Sequence, residues 1–495
     1  MPPLRPHPHL YEINTWAWLE ELSRTAGRRL TLADVPGEEW DRLRALGFDL
    51  VYLLGVWQRS PAARQWARST PEYFSSYDAA LPGWTLDDVV GSGFAVRDYE
   101  PDPRLLREKH TWRDIDNLRT HLHQRGMGLV LDFVGNHTAL DHPWMTAHPE
   151  FYIQGTMELF RREPSAFYCA EPTTGPPLLI ARGRDPNYPA WPDTAQLNYF
   201  QPATRAAMIA ILRLLQQHCD GVRCDMAMLA LNDVFARIWG NPAGTPPATE
   251  FWSEARAAVP DLLLLGEVYW KLEGRLQQLG VNFTYDKGLY DRLRFSNAQD
   301  VGAHIAAADG DPGRMGRFIE NHDEPRAVTA FGVEKSKAAA VAVATLPGLR
   351  FFHQGQLEGR TRFLPMQMGR AAAEPMNEDV RSFYRRLLAI ANQPAFHEGE
   401  WKLLAVTADT DASYPSLLAW RWKLDHEFKL VVVNLGDQTA QGRVPLAGEV
   451  DAAKQYSLAD ELNGPTYVRD GREITSQGLF VRLEPYGAHV LALEP

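Results

Sequence analysis

Short strand-like segments alternate with helix-like segments along much of this chain, and this alternation constrains the fold more than any other feature. Alternation of this kind favours a parallel sheet covered by helices, and eight strands predict a (β/α)8 barrel of the TIM type. A doubly wound sheet is the alternative that the strand count leaves open. The strand-like segments are residues 11–14, 49–54, 128–133, 221–225, 262–267, 281–286, 317–320 and 349–353. The helix-like segments, with apolar residues at helical spacing, are 39–46, 112–125, 203–218, 251–259, 272–279 and 336–346.

Two regions interrupt the alternation. Residues 138–201 are rich in proline, glycine and aromatic residues, and the segment is too long for an ordinary barrel loop. After residue 394 the strand-like runs LLAWRW, FKLVVVNL and GAHVLAL are separated by turn residues. We therefore predict three domains: a catalytic barrel (1–137 and 202–393), an irregular inserted domain B (138–201) and a C-terminal antiparallel β-sandwich (394–495).

The charge and the N-terminal sequence exclude several classes of partner. The net charge is −11 and there is no lysine- or arginine-rich run, so we expect neither nucleic acid nor a membrane surface as partner. No apolar run approaches the ~20 residues that span a membrane. The N-terminus lacks the apolar core of a signal peptide, and three cysteines form no disulfide framework, so we predict a cytoplasmic protein. The sequence carries no indication of oligomeric state.

Charged and imidazole side chains follow the predicted strands at the end where a barrel of this type carries its catalytic groups. A lone carboxylate at such a place is commonly the N-cap of the next helix. Four strand ends agree here, however, which indicates a functional site. The residues are Asp132, Asn136 and His137 after the third strand, Asp225 at the fourth, Glu267 at the fifth, and Glu320, Asn321, His322 and Asp323 at the seventh.

The stretch CDGVRCDMAM places Arg223 and Asp225 on one face of a strand that reads as buried, where charge must be paired or used. One chemistry that suits such a site is metal-dependent hydrolysis, but the histidines of His7-Pro8-His9 precede the first strand, and we expect an exposed leader there. The other is retaining glycoside hydrolysis, which needs two carboxyl groups roughly 5–5.5 Å apart. Asp225 and Glu267, on adjacent strands, could meet that distance, with Arg223 holding Asp225 ionised.

Four motifs lie at the ends of the third, fourth, fifth and seventh predicted strands: LDFVGNH (131–137), GVRCD (221–225), GEVYW (266–270) and FIENHDEPR (318–326). In order and spacing they resemble the four sequence regions of the α-amylase family, glycoside hydrolase family 13. GFAVRDY (93–99) and GLRFFHQGQLEG (348–359) extend the resemblance, which covers about residues 10–495. It implies an α-glucan or α-glucoside as substrate.

The resemblance also implies the roles of individual residues. Asp225 resembles the nucleophile that forms a glycosyl-enzyme, Glu267 the general acid and base, and Asp323 the third carboxylate, which binds sugar hydroxyls. The substrate-binding positions implied in the same way are Arg223, His137, His322, Phe94, Asp98 and Arg326. For Phe94, stacking on the sugar competes with plain core packing.

The sequence departs from typical α-amylases at two places. Met228 and Leu229 stand where those enzymes carry a sugar-contacting Lys-His pair, which weakens the case for a long endo-acting cleft. Gln196 replaces an aspartate that ligates calcium, and Asn136 alone is a poor set for a cation that takes six to eight oxygens. We therefore predict no cofactor and no metal, with calcium as the less favoured alternative.

The leading hypothesis is a retaining hydrolase of α-glucosidic, mainly α-1,4, bonds. A transglycosylase, a phosphorylase or a disaccharide isomerase of the trehalose or sucrose type is the alternative, because these enzymes share the glycosyl-enzyme intermediate. A non-catalytic carbohydrate-binding or scaffold protein is a remote alternative. The presence of all three carboxylates, Asp225, Glu267 and Asp323, argues against it.

Overall fold

A computed structural model describes residues 2–107, 112–171, 176–307 and 309–494. Within these residues, eight parallel strands close into a barrel in which each strand pairs with its neighbours in chain order. This confirms the predicted barrel and removes the doubly wound alternative, because a doubly wound sheet has open edges. The strands are β1 (His9–Asn14), β2 (Leu50–Leu54), β3 (Gly128–Phe133), β4 (Gly221–Cys224), β5 (Leu263–Gly266), β6 (Phe283–Tyr285), β7 (Met315–Arg317) and β8 (Leu349–His353).

The α-helices cover the outside of the barrel and bury the apolar faces that the sequence pattern indicates. Val333–Thr345, for example, is buried along most of its length. In chain order the helices are Thr15–Ala26, Gly37–Ala45, Pro61–Ser69, Phe74–Ala80, Arg113–His123, Trp144–Ala147, Met157–Arg162, Pro202–His218, Asn232–Trp239, Phe251–Ala258, Glu273–Gln278, Lys287–Phe295, Ala298–Ala306, Ala327–Phe331, Val333–Thr345, Glu378–Ala391 and Ala395–Glu398, with Gly471–Gln477 in the C-terminal region.

Two details of the strand prediction are corrected. Strand β7 is Met315–Arg317, not 317–320, because Gly316 and Arg317 pair with β8 while Phe318 and Ile319 are buried beyond the strand. The expected exposed leader is wrong as well. His9 is the first residue of β1 and is fully buried. Its backbone N–H donates to Asp49, and the guanidinium of Arg350 donates to Nε2 of its ring at 3.1 Å.

Residues between β3 and the helix Pro202–His218 form short antiparallel pairs. His137–Ala139 pairs with Thr194–Gln196, and Phe167–Ala170 pairs with Leu178–Ala181. A further pair, Trp57–Arg59 with Val96–Pro101, follows β2. Both groups of short strands follow the carboxyl ends of barrel strands, which is the end that carries the candidate site.

The C-terminal region contains two antiparallel sheets. A six-stranded sheet is formed, in spatial order, by β9 (Glu400–Leu404), β10 (Leu417–Leu424), β11 (Glu427–Asn434), β16 (Ala488–Glu494), β13 (Gln455–Asp460) and β14 (Thr466–Asp470); β12 (Ala440–Val444) pairs with β15 (Leu479–Leu483). Side chains of β10 alternate: Leu417 and Ala419 pack towards β12 and β15, and Trp420 and Trp422 join the barrel core. This layered arrangement confirms the predicted C-terminal β-sandwich. The domain boundaries at residues 137, 201 and 393 stay predictions.

The described part of the chain has no helix that combines the length and the apolar character required to cross a bilayer.

Candidate active site

The guanidinium of Arg223 lies at the centre of the candidate site. Arg223 is on β4, fully buried, and its NH1 donates a hydrogen bond to Oδ1 of Asp225, the first residue beyond that strand. Its NH2 lies 2.8 Å from Oε2 of Glu267, the first residue beyond β5, and 3.8 Å from Oδ2 of Asp323. One cation therefore contacts three carboxylates that come from three different strand ends.

Glu267 is held by three donors. Its Oε2 accepts a hydrogen bond from the backbone N–H of Met226 at 2.7 Å, besides the contact with Arg223. Its Oε1 accepts one from the hydroxyl of Tyr269 at 2.6 Å. The loop after β4 allows this contact because Met226 adopts a left-handed conformation with φ of 45°. These donors fix the orientation of the carboxyl group.

Asp323 is the carboxylate that opens most to the cavity, with 39% of its side chain accessible. His322 lies beside it, with Nε2 2.9 Å from Oδ2 of Asp323. On its other side, Nδ1 of His322 is 2.6 Å from Oε1 of Glu12, a fully buried residue of β1. His322 therefore lies between two carboxylates.

The electrostatic environment shifts the pKa values of the three candidate catalytic carboxyl groups in different directions. Burial raises the pKa of Asp225, and Arg223 opposes that rise. Burial also raises the pKa of Glu267, with the charge of Arg223 opposing and those of Asp225 and Asp323 adding to the rise. For Asp323, burial acts against ionisation, but His322 and Arg223 outweigh it and hold the pKa below its usual value. Carboxyls packed this closely titrate as a coupled group, in which Asp323 ionises first.

The carboxylates line a cavity of about 1540 Å³, which is larger than the ~300–1,000 Å³ typical of small-molecule sites. Phe94 and His137 border it too. Phe94 stacks on the ring of His322 with 5.2 Å between ring centres and also contacts the guanidinium of Arg223. His137 has Nε2 3.2 Å from the carbonyl of Phe94, and burial lowers its pKa to about 4. These two residues link the inserted segment to the wall of the barrel.

Four of the predicted substrate-binding residues are not among the described residues that border the cavity. Arg223 and His322 are buried and contact the carboxylates that line it. Arg326 and Asp98 lie farther from the site. Arg326 is buried, and its guanidinium donates to Glu320, to the carbonyl of Gln354 and to the carbonyl of Arg362. Asp98 lies on the strand Val96–Pro101, half-buried. Neither is among the described residues that border the cavity. Their roles in binding substrate stay predictions.

Sequence reasoning missed two residues of the site, Glu12 and Tyr269, and it gave no partners for Asp132, which it had placed at the end of the third strand. Glu12 is a charged residue in an apolar strand. As for Arg223, a charge in such a place must be paired or used. Tyr269 lies two positions after Glu267, on the same loop. Asp132 is fully buried, where it accepts hydrogen bonds from the hydroxyl of Tyr52 at 2.5 Å and from the backbone N–H of Gly55 at 2.6 Å. Asp132 therefore joins β3 to β2 and to the residue that follows β2.

The side chains at the possible calcium position do not fit a cation. Nε2 of Gln196 donates to the backbone carbonyl of Asn136 at 2.9 Å, to its Oδ1 at 3.0 Å and to the carbonyl of Leu197 at 3.0 Å. Nδ2 of Asn136 donates in turn to Oε1 of Gln196 at 3.2 Å. The amide nitrogen is thus surrounded by the oxygens that a cation would require. We derive no step through a metal at this position.

The side chains arranged in this way can carry out acid–base and nucleophilic chemistry at a single site of about the size of a sugar ring. A carboxylate held beside a guanidinium can attack as a nucleophile, and a second carboxyl with a raised pKa can deliver a proton. A third, ionised carboxylate beside a cationic imidazole can bind hydroxyl groups. The separation that a retaining reaction requires, roughly 5–5.5 Å, is compatible with Asp225 and Glu267 binding adjacent nitrogens of one guanidinium.

Comparison with known proteins gives one family. The sequence profile described as "Alpha amylase, catalytic domain" matches residues 38–395. Among curated proteins, alpha-amylase 3 of Dictyoglomus thermophilum is 26% identical over 309 residues, which cover 56% of each chain. A trehalose synthase of a Pimelobacter species is 28% identical over 201 residues, covering 38% of this chain and 34% of that protein. The first two curated relatives are matched over 56% and 50% of their own length, so the chain spans about half of them.

A solved structure resembles the whole described chain. The noncanonic maltogenic alpha-amylase AmyB from Thermotoga neapolitana superposes with a TM-score of 0.69 at 18% identity, covering 99% of both chains. At this identity the likeness concerns the fold alone. It extends beyond the barrel to the inserted and C-terminal regions.

Proposed function

The chain belongs to the alpha-amylase family, and on this premise we propose that it is a retaining glycosidase acting on α-glucosidic, mainly α-1,4, bonds of glucans or oligosaccharides. The observation that carries the proposal is the position of Asp225, Glu267 and Asp323 around the single guanidinium of Arg223 on the wall of one cavity. A carbohydrate-binding protein without activity would have no use for three carboxyls gathered around one buried guanidinium in this way.

In the proposed reaction, a carboxylate oxygen of Asp225 attacks the anomeric carbon while the bond to the leaving oxygen breaks. Glu267 donates its proton to that oxygen, which departs as an alcohol. Glu267, now ionised, then takes a proton from water, and the resulting oxygen nucleophile displaces Asp225 from the sugar. Asp323 and His322 bind sugar hydroxyls, and Phe94 contacts the ring.

A variant of the proposed nucleophile, a control variant and a trapping reagent test this proposal. Asp225→Asn keeps the shape of the side chain, and we expect hydrolysis of maltooligosaccharides to fall by about 10³-fold or more. A fluorinated glucosyl donor should leave a covalent sugar on the peptide that contains Asp225, detected by mass spectrometry. Asp220→Asn, in a buried carboxylate at the start of β4, is the matched control and should retain turnover. A label on a different residue would contradict the assignment.

Transfer or isomerisation is the second candidate, favoured by one structural observation and one relative. Met228 and Leu229, at the positions that resemble a sugar-contacting Lys-His pair, are fully buried and do not border the cavity among the described residues. The trehalose synthase relative shares this family. Incubation of maltose, maltoheptaose, starch, sucrose and trehalose, with and without phosphate, separates the candidates. Longer products indicate transfer, sugar phosphate indicates phosphorolysis, and a second disaccharide indicates isomerisation.

We also propose a cytoplasmic location. The three cysteines Cys169, Cys219 and Cys224 are free thiols, which is compatible with a reducing compartment. Cell fractionation followed by immunoblotting tests this location, and recovery in the culture medium would contradict it.

A further inference from the structure

Glu12 contacts His322 in two ways. This residue of β1 has no accessible surface, although it is charged. Its Oε1 lies 2.6 Å from Nδ1 of the imidazole, and its Oε2 accepts the backbone N–H of the same residue at 3.2 Å. Contacts with both the ring and the backbone fix where the ring lies and how it is rotated.

The second ring nitrogen of His322 also faces a carboxylate. Nε2 is 2.9 Å from Oδ2 of Asp323, in an ion pair that lies off the ideal hydrogen bond direction, so its N–H makes no hydrogen bond to a described residue. A ring nitrogen without a proton would place its lone pair against the lone pairs of a carboxylate. Carboxylates on both sides therefore favour the form in which both nitrogens carry protons.

Other charged groups surround this pair. Asp132 in β3 and Asp225 after β4 interact electrostatically with His322. His353 of β8 has Nε2 4.0 Å from Oε2 of Glu12. Phe94 stacks on the imidazole and also contacts the guanidinium of Arg223. The carboxylates on this side outnumber the cations, which favours a protonated ring.

We propose that Glu12 is a positioning residue that holds His322 as an imidazolium, and that this cation keeps Asp323 ionised and oriented towards the cavity. The effect on activity rests on the proposed glycosidase function, whereas the protonation of His322 does not. Although burial opposes protonation, Asp323 and Glu12 together raise the pKa of His322 well above its usual value. A purely structural Glu12 would stabilise the segment after β7 without controlling the protonation of the ring.

Nuclear magnetic resonance of the full chain labelled with ¹⁵N-histidine tests the protonation directly and needs no substrate. A His322→Gln variant identifies the signal among the 15 histidines. We expect both ring nitrogens of His322 to remain protonated at pH 7 and above in the wild type. In Glu12→Gln the ring should lose its proton at least one pH unit lower, a tenfold weaker affinity. A neutral His322 in the wild type at pH 7 would overturn the proposal, whether or not the variant folds.

Kinetics give the second readout. In Glu12→Gln the loss of the His322 proton should lower kcat/KM on the alkaline side in addition to the deprotonation of Glu267, so the alkaline limb should lie at lower pH. Glu12→Asp, which keeps the charge, should restore most of the wild-type profile. The control is Asp49→Asn, a buried carboxylate at the other end of the barrel that binds His9 and Arg5; it should lower Tm without moving the profile. An unchanged His322 titration in folded Glu12→Gln would overturn the proposal. Absence of turnover on every α-glucoside would instead refute the proposed function.

Discussion

Tyr269 places its phenolic oxygen 2.6 Å from Oε1 of Glu267. The other carboxyl oxygen, Oε2, already accepts hydrogen bonds from the backbone of Met226 and interacts with Arg223. When Glu267 is protonated, the proton therefore belongs on Oε1, where the oxygen of Tyr269 can accept it. When Glu267 is ionised, the hydroxyl of Tyr269 donates the hydrogen bond to Oε1 instead. The same contact thus suits both states that a general acid and base must adopt.

Replacing Tyr269 by phenylalanine should move the pH dependence in a defined direction. The hydrogen bond from Tyr269 lowers the pKa of Glu267, so its loss raises that pKa. Because the first step needs protonated Glu267, the alkaline limb of kcat/KM should shift to higher pH, opposite to the shift expected for Glu12→Gln. We expect kcat to fall about tenfold, the equivalent of ~1.4 kcal/mol. A stopped assay on a maltooligosaccharide over pH 5–9 measures both effects.

Tyr384→Phe is the matched control for this change. Tyr384 is buried and accepts a hydrogen bond from Gln356 at 2.9 Å, and it does not border the cavity among the described residues. It should lower stability and leave the pH profile in place. An alkaline limb in Tyr269→Phe that coincides with that of the wild type would show that Tyr269 does not tune Glu267.

Arg223→Lys should impair both stability and activity, although it conserves the charge. A lysine ammonium is a point charge and does not reproduce the planar fork that binds Asp225 with one nitrogen and Glu267 with the other. Incomplete pairing of buried carboxylates costs up to about 3–5 kcal/mol. We expect a lower Tm and a fall in kcat of about 10²-fold or more. Arg350→Lys, in a buried arginine at the opposite end of the barrel, should destabilise the protein while kcat remains near the wild-type value.

The position of the site was predictable from the sequence because the information is local. The apolar runs of β4 and β5 end directly before Asp225 and Glu267, and the carboxyl ends of parallel strands meet at one edge. The alternation of strands and helices likewise predicted the barrel. The seventh strand was predicted too late in the sequence. The short strand Met315–Arg317 precedes a buried apolar segment whose sequence is equally typical of a strand.

The partners of the candidate catalytic groups were not predictable, because they depend on barrel closure. Glu12 and His322 are 310 residues apart and meet only because barrel closure places β1 beside β8, which in turn pairs with β7. For Arg326 the sequence predicts a contact with substrate, but other residues of the protein bind its side chain. The motif places it after the seventh strand, but the buried Glu320 and His353 occupy its guanidinium, which the linear sequence does not indicate.

The junction between Asn136 and Gln196 predicts a response to calcium. The wild type should show the same Tm with calcium and with a chelator, because the amide of Gln196 fills the position between the oxygens of Asn136 and Leu197. In Gln196→Glu a carboxylate faces those oxygens, which should cost about 1–3 kcal/mol and be partly recovered by added calcium. Differential scanning fluorimetry measures both responses. A wild-type Tm that falls with chelator would contradict the prediction.

The buried histidines at the amino end of the barrel predict how stability depends on pH. Burial, together with Arg350, lowers the pKa of His7 and of His397 to about 3. Below about pH 6.5 the unfolded chain therefore binds protons at these positions that the folded chain does not, so the free energy of unfolding decreases as pH falls. Each histidine contributes a slope approaching ~1.4 kcal/mol per pH unit between these pKa values. Urea unfolding at pH 5 to 7 measures the total slope.

His397→Asn keeps a donor for the carbonyl of Pro6 and should reduce that slope by the contribution of one histidine, whereas His121→Asn at an exposed position should not. Equal slopes in the wild type and in His397→Asn would show that His397 is protonated in the folded protein.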